Sequence, residues 1–147
     1  ISRRGATGVA PRRGGGLRAS GAAVYFANVK FMLENLPPSL APHREAIRQC
    51  LEAMHAALPL REVILFGSHA RGEACPDSDV DLCLVADGAE RQLKAARCWR
   101  VAMRSVWPRP SFTLIPIAPG RLSEKRACDD HFFATIFEEG VFLVAQD

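Results

Sequence analysis

The chain has 147 residues, of which 48% are apolar and 24% charged; this suits one globular domain with a real core and excludes a charge-rich disordered protein. No apolar run approaches the ~20 residues that a membrane-spanning helix needs, so no membrane role is expected. The formal charge of +3 is uneven, with +5 and no acid in residues 1–20 and −2 in the remainder.

Residues 1–20 mix five arginines with Gly5, Gly8, Gly14, Gly15 and Gly16. They offer little to a core and read as a disordered basic tail. Such a tail suits a nucleic-acid-binding arm, or an Arg-rich targeting segment, although it lacks an amphipathic pattern. A solvated extension is the simplest reading. Residues 21–38 are expected to form an N-terminal helix, with Val24, Ala27, Phe31 and Leu36 near helical spacing and Pro37-Pro38 as its stop. The remaining residues, 39–147, read as a single domain.

A helix is predicted from about Pro42 to Leu58, where Ile47, Cys50, Leu51, Met54 and Leu58 form a core-facing stripe. Pro59 stops it, and a strand follows at about Glu62–Phe66. After Gly67, Ser68–Gly72 suits a short helical turn, and Cys75-Pro76-Asp77-Ser78 has turn chemistry. A second strand, about Val80–Ala86, is apolar on both faces apart from Asp81 and belongs inside a sheet. A third helix fits Ala89–Val106, with Leu93, Ala96, Trp99, Met103 and Val106 on one side and Arg91, Lys94, Arg97, Arg100 and Arg104 largely on the other. Phe112–Ile117 reads as the third strand, Leu122–Glu139 as a fourth helix, and Val141–Val144 as the last strand. The fold class is therefore α/β (α+β): a small mixed sheet of about four strands with helices packed against it.

The five cysteines (Cys50, Cys75, Cys83, Cys98 and Cys128) are odd in number and form no CxxC pair. They read as reduced thiols of a cytoplasmic protein and as small buried hydrophobes. His43, His55, His69 and His131 do not supply the close spacing of a zinc site.

The chemistry concentrates in FGSHARGEACPDSDVDL, residues 66–82. Asp79 and Asp81 are two apart on a strand, so both side chains project from one face, roughly 7 Å apart along the strand. Neighbouring carboxylates repel unless a cation lies between them. Asp81 is followed by Leu82, Cys83, Leu84 and Val85, where an acid is costly without a partner. The Gly67-Ser68 turn offers backbone N–H groups and a hydroxyl. A phosphate cradle beside paired carboxylates suits a metal-bound nucleotide.

This stretch resembles the nucleotidyltransferase superfamily that includes DNA polymerase beta, and in particular the minimal nucleotidyltransferases of prokaryotes. Their pattern is a strand, then GSxARGxA, then SDxDL. Gly67, Ser68, Ala70, Arg71, Gly72, Ala74, Ser78, Asp79, Asp81 and Leu82 match it. The resemblance covers about residues 40–145, including FFATIFEEGVFLV near the end. It implies the nucleotidyltransferase fold, nucleotide binding by Gly67, Ser68, Arg71 and Ser78, and catalysis and Mg²⁺ coordination by Asp79 and Asp81. The reaction implied is transfer of a nucleoside monophosphate, AMP from ATP, to a hydroxyl acceptor on a partner protein by a two-metal mechanism. Arg71 has two readings, a phosphate contact or an ion pair with Glu73. His69 is expected to be a variable surface residue.

Active members of the family carry a third carboxylate on the third strand, and here that position falls on Thr113. A threonine hydroxyl is neither a base near neutral pH nor a strong Mg²⁺ ligand. No Asp or Glu lies between Glu90 and Glu124. Glu124, Asp129 or Asp130 would have to reach in from the fourth helix to replace it. The two-metal site is then one ligand short. This opens an alternative function, a catalytically degenerate antitoxin that neutralises a HEPN-type RNase toxin by binding it. A small-molecule transferase of the aminoglycoside type is a weaker alternative. Nucleic acid enters these expectations only through the basic tail.

Overall fold

A computed structural model describes residues 24–26 and 28–147; the basic tail of residues 1–20 lies outside the described residues. Six strands form one sheet: β1 (Val24–Phe26), β2 (Val29–Phe31), β3 (Glu62–Phe66), β4 (Val80–Val85), β5 (Phe112–Ile117) and β6 (Val141–Gln146), in the spatial order β1-β2-β6-β3-β4-β5. Only β4 and β5 run parallel; the other neighbours are antiparallel. The helices are α1 (Arg44–Ala57), α2 (Ser68–Arg71), α3 (Gln92–Ala102), α4 (Pro119–Ala127) and α5 (His131–Glu139). None is long and apolar enough to cross a membrane.

The sheet is mixed, as expected, but has six strands where about four were expected. The difference lies at the N-terminus. A helix was expected over residues 21–38; residues 21–23 and 27 lie outside the described residues, and the others form the strands β1 and β2 and a 3₁₀ turn at Leu33–Asn35. Asn28 at the hairpin turn adopts φ +74°, a left-handed conformation that asparagine tolerates and a helix cannot contain. The hairpin then joins the sheet through β6, with Phe31 opposite Val144. Pairing on both sides also makes β6 longer than expected.

Alternation along the strands separates two cores. Val63, Leu65, Leu82, Leu84 and Leu114 face α1 and α3. Ile64, Cys83, Val85 and Ile117 face α4 and α5 through Leu122, Phe133 and Ile136. The α1 stripe of Ile47, Cys50, Leu51 and Met54 is fully buried, as its spacing predicts. On α3 and the 3₁₀ turn that follows it the buried stripe is Ala95, Trp99, Met103 and Val106, while Leu93 is 86% exposed, against expectation. Trp99 donates its indole N–H to Leu58 O at 3.0 Å, which ties α3 to the end of α1.

The single fourth helix is in fact two. Asp129 takes φ +58°, and Asp130 caps α5 by accepting from Phe133 N at 3.1 Å and from Lys125 Nζ at 3.2 Å. Two adjacent aspartates thus supply both the turn and the new cap. Cys50 and Cys83 are buried, but Cys75 and Cys128 are exposed, so the cysteines are not uniformly core residues.

His55, on the last turn of α1, accepts from Leu60 N at 2.9 Å through Nδ1 and meets the Phe31 ring edge-on at 6.1 Å. Burial lowers its pKa below the usual 6.5. The stability it contributes is present above pH 6.5 and is lost as pH falls, because the unfolded chain takes up a proton that the folded chain resists. Urea midpoints should therefore drop between about pH 7.5 and pH 5.5, and drop less in His55→Asn. An equal drop in both proteins would refute this assignment.

Candidate functional site

The site is built where β3, β4 and β5 lie side by side. β3 ends at Phe66, opposite Asp81 on β4, and Asp81 is in turn opposite Thr113 on β5. Gly67 then takes φ +79° and ψ −155° and leads into the single turn α2. That backbone region is essentially closed to residues with a side chain. Space excludes one as well. A Cβ on Gly67 would overlap Asp81 Oδ2 and lie 3.1 Å from its Cγ. The Asp81 carboxylate therefore rests directly on the backbone of the Gly67 turn.

Asp79 is exposed and Asp81 half-buried, on either side of the buried Val80. Thr113 Oγ1 lies 3.5 Å from Asp79 Oδ2, the outer limit of a hydrogen bond. Thr113 is thus the β5 residue that meets both aspartates. Next along the same face is Cys83, whose thiol burial pushes up to about 12, with Glu62 adding to the shift. It stays a neutral core group, so the polar groups at this point are all oxygens. Among the described residues no three His, Cys, Asp or Glu side chains gather to hold a metal. Glu124 pairs with Arg121, and Asp130 is held by Lys125 and the α5 cap. Neither replaces the third carboxylate. Two carboxylates fit Mg²⁺ that arrives with a triphosphate, since such ions take one or two protein carboxylates, phosphate oxygens and waters.

Ser68 is half-buried at the start of α2, and its carbonyl accepts from Glu73 N at 2.8 Å. Ser78 closes the turn before β4: its Oγ accepts from Cys75 N at 2.8 Å. Arg71 pairs with Glu73 at 2.9 Å and with Glu139 at 3.3 Å, and both acids raise its pKa. Of its two readings, the ion pair is the one the structure displays. His69 departs from expectation. It is only 6% exposed, with Nδ1 2.8 Å from Ser39 Oγ and Nε2 3.3 Å from Ser78 O. It braces α2 against the loop before β4. A four-residue helix turns this position inward, which the motif spacing alone does not reveal.

A cleft of about 470 Å³ opens beside Asp79, lined also by Arg100, Arg104, Trp107 and Arg109. Sequence reasoning missed the cleft as a whole. The helical spacing sets Arg100 and Arg104 on the side of the third helix away from the apolar residues, but does not join them to Trp107, Arg109 or Asp79.

Residues 47–111 match the family model described as the nucleotidyltransferase domain. The segment contains the Gly67 turn and both aspartates, and it stops two residues before Thr113. The chain is also similar to a candidate nucleotidyltransferase from Sulfolobus solfataricus known from a crystal structure, with 26% identity, covering 58% of this chain and 76% of that one, at a TM-score of 0.43. No curated protein matches the chain.

Within the matched segment, two glycines separate strain from collision. Gly72 also has a positive φ, +75°, but a Cβ there would meet nothing within 4 Å. Gly72→Ala should cost about 1 kcal/mol of stability. Gly67→Ala should cost more than about 2 kcal/mol, because it adds the collision with Asp81 to a more restricted backbone conformation. Urea denaturation compares them directly, and equal losses would contradict the packing of Asp81 on the turn.

Proposed function

We propose that this domain binds a metal-bound nucleoside triphosphate, with ATP as the expected substrate, and transfers its nucleoside monophosphate slowly to a hydroxyl acceptor. The observation that carries this reading is the Asp81 carboxylate seated on the Gly67 turn, with Asp79 two residues away and Thr113 between them and the edge of the sheet. In this reading Gly67 lets the triphosphate approach the backbone, and Ser68 supplies an N–H and a hydroxyl. Asp79 and Asp81 would hold Mg²⁺, which supplies charge neutralisation at the phosphates. Thr113 cannot take the acceptor's proton near neutral pH, so that assistance is missing. Loss of a positioned general base lowers rate by on the order of 10²–10⁴-fold.

A second reading follows from the same residue. With Thr113 in the third position, contact alone serves a domain that neutralises a partner protein, and a HEPN-type RNase is the partner class suggested by the family resemblance. Both readings place the chain in the cytoplasm, where Mg²⁺ and ATP are supplied and its five thiols stay reduced.

Calorimetric titration with ATP should show binding that requires Mg²⁺ and disappears in Asp79→Asn and Asp81→Asn. Failure of the intact chain to bind would remove both the site and the enzyme reading. Given binding, Thr113→Asp should raise transfer from labelled ATP by on the order of 10²–10⁴-fold. If Thr113→Asp leaves transfer unchanged, the third position is not what limits the reaction.

A further inference from the structure

Between Arg91 and Arg109 the chain carries six cations, Arg91, Lys94, Arg97, Arg100, Arg104 and Arg109, and no acid. Lys94, Arg97 and Arg100 lie on α3, and Arg104 follows on its 3₁₀ extension, Met103–Ser105. Their spacings of three and four residues place like charges next to each other, which destabilises a helix unless counter-charges are supplied. The fold supplies none: no ion pair among the described residues involves any of the six. Elsewhere Arg48, Arg61, Arg71, Arg121 and Lys125 pair with acids, and Lys30, Arg44 and Arg126 do not. Six of the nine unpaired lysines and arginines among the described residues therefore lie on this one stretch of a body that is otherwise acidic.

That surface contains a built cleft. Arg100 donates to Phe112 O at 3.2 Å and Arg109 to Val106 O at 2.8 Å, so each is anchored by one nitrogen and keeps its other N–H groups for a ligand. The Arg109 guanidinium lies 5.9 Å from the centre of the Trp107 ring. Trp107 is 80% exposed, an unusual position for a large aromatic that no core requires. Fixed guanidinium groups around an open aromatic face suit phosphates and a stacked base together. An acidic protein surface would satisfy the charges but would leave the indole without a stacking partner.

We propose that the surface formed by α3, its 3₁₀ extension and Trp107 binds a single strand of nucleic acid, with phosphates on the arginines and a base stacked on Trp107. The cleft also includes Asp79, so the bound strand would run beside the aspartate pair. That the strand supplies the hydroxyl acceptor rests on the functional reading above; the binding itself does not.

The test uses the full chain and a labelled single-stranded RNA of about 20 nucleotides, followed by anisotropy in EDTA without nucleotide, so that its outcome is independent of ATP binding. Affinity should fall steeply with salt, with a logarithmic slope of about 0.7 for each phosphate contacted. Trp99 is fully buried and Trp107 exposed, so quenching of tryptophan emission by the RNA should vanish in Trp107→Ala. Trp107→Ala should weaken binding at least fivefold, and Trp107→Phe should restore part of the loss. Arg97→Glu and Arg104→Glu should each weaken binding about tenfold or more and reduce the salt slope. The proposal is overturned by absence of binding, or by variants that bind like the parent, which would assign binding to the basic tail. Equal competition by poly-L-glutamate would overturn it too, since that polymer carries charge without bases.

Discussion

The candidate site depends on one contact, the Asp81 carboxylate against the backbone of the Gly67 turn. An acid in the middle of a buried strand would ordinarily be excluded by the cost of desolvation. Here Asp81 sits where β4 emerges from the core, half-buried, over a turn that has no side chain to displace it. The antiparallel register with β3 sets Asp81 opposite Phe66, and the parallel register with β5 sets it opposite Thr113. Three strands therefore converge on one pair of oxygens. A shift of one residue in either register would send Asp81 to the face packed against α1 and α3.

The surrounding fold serves this placement. Apolar residues on both faces hold β4 inside the sheet, with α1 and α3 on one side and α4 and α5 on the other. Phe66 stacks edge-on against Phe132 at 5.9 Å, which secures the end of β3 just before the turn. His69 and Ser78 fix the approach to β4, and Arg71 ties α2 to the end of α5 through Glu139. Motif residues that the family resemblance assigns to nucleotide contacts thus also hold the turn and its neighbours in position.

Much of this was legible in the sequence, for identifiable reasons. β3, β4 and β5 are short apolar runs bounded by proline, glycine or aspartate, and the α1 stripe has unambiguous helical spacing. The motif from Gly67 to Leu82 carries the candidate site, and the absence of acids before Glu124 marks Thr113. What was not legible depends on partners distant in sequence or on single backbone angles. The β1–β2 hairpin is specified by the turn at Asn28 and by pairing with β6 at the far end of the chain. Helical periodicity continues across Asp129, where the backbone reverses, so one helix was expected in place of two. His69 occupies a position the motif leaves open, and its burial follows from contacts with Ser39 and Ser78 that come together only on folding. The arginines around Trp107 are scattered between a helix and a loop, and only the fold gathers them beside Asp79.

The central claim is that the aspartate pair and the Gly67 turn form one site for a metal-bound triphosphate, without a third carboxylate. Its most direct test is a crystal structure with Mn²⁺ and a non-hydrolysable ATP analogue, read by anomalous scattering. The account predicts one Mn²⁺ peak in contact with Asp79 and Asp81, and the triphosphate over Gly67 and Ser68. A triphosphate bound elsewhere, or a peak that touches neither aspartate, would contradict it.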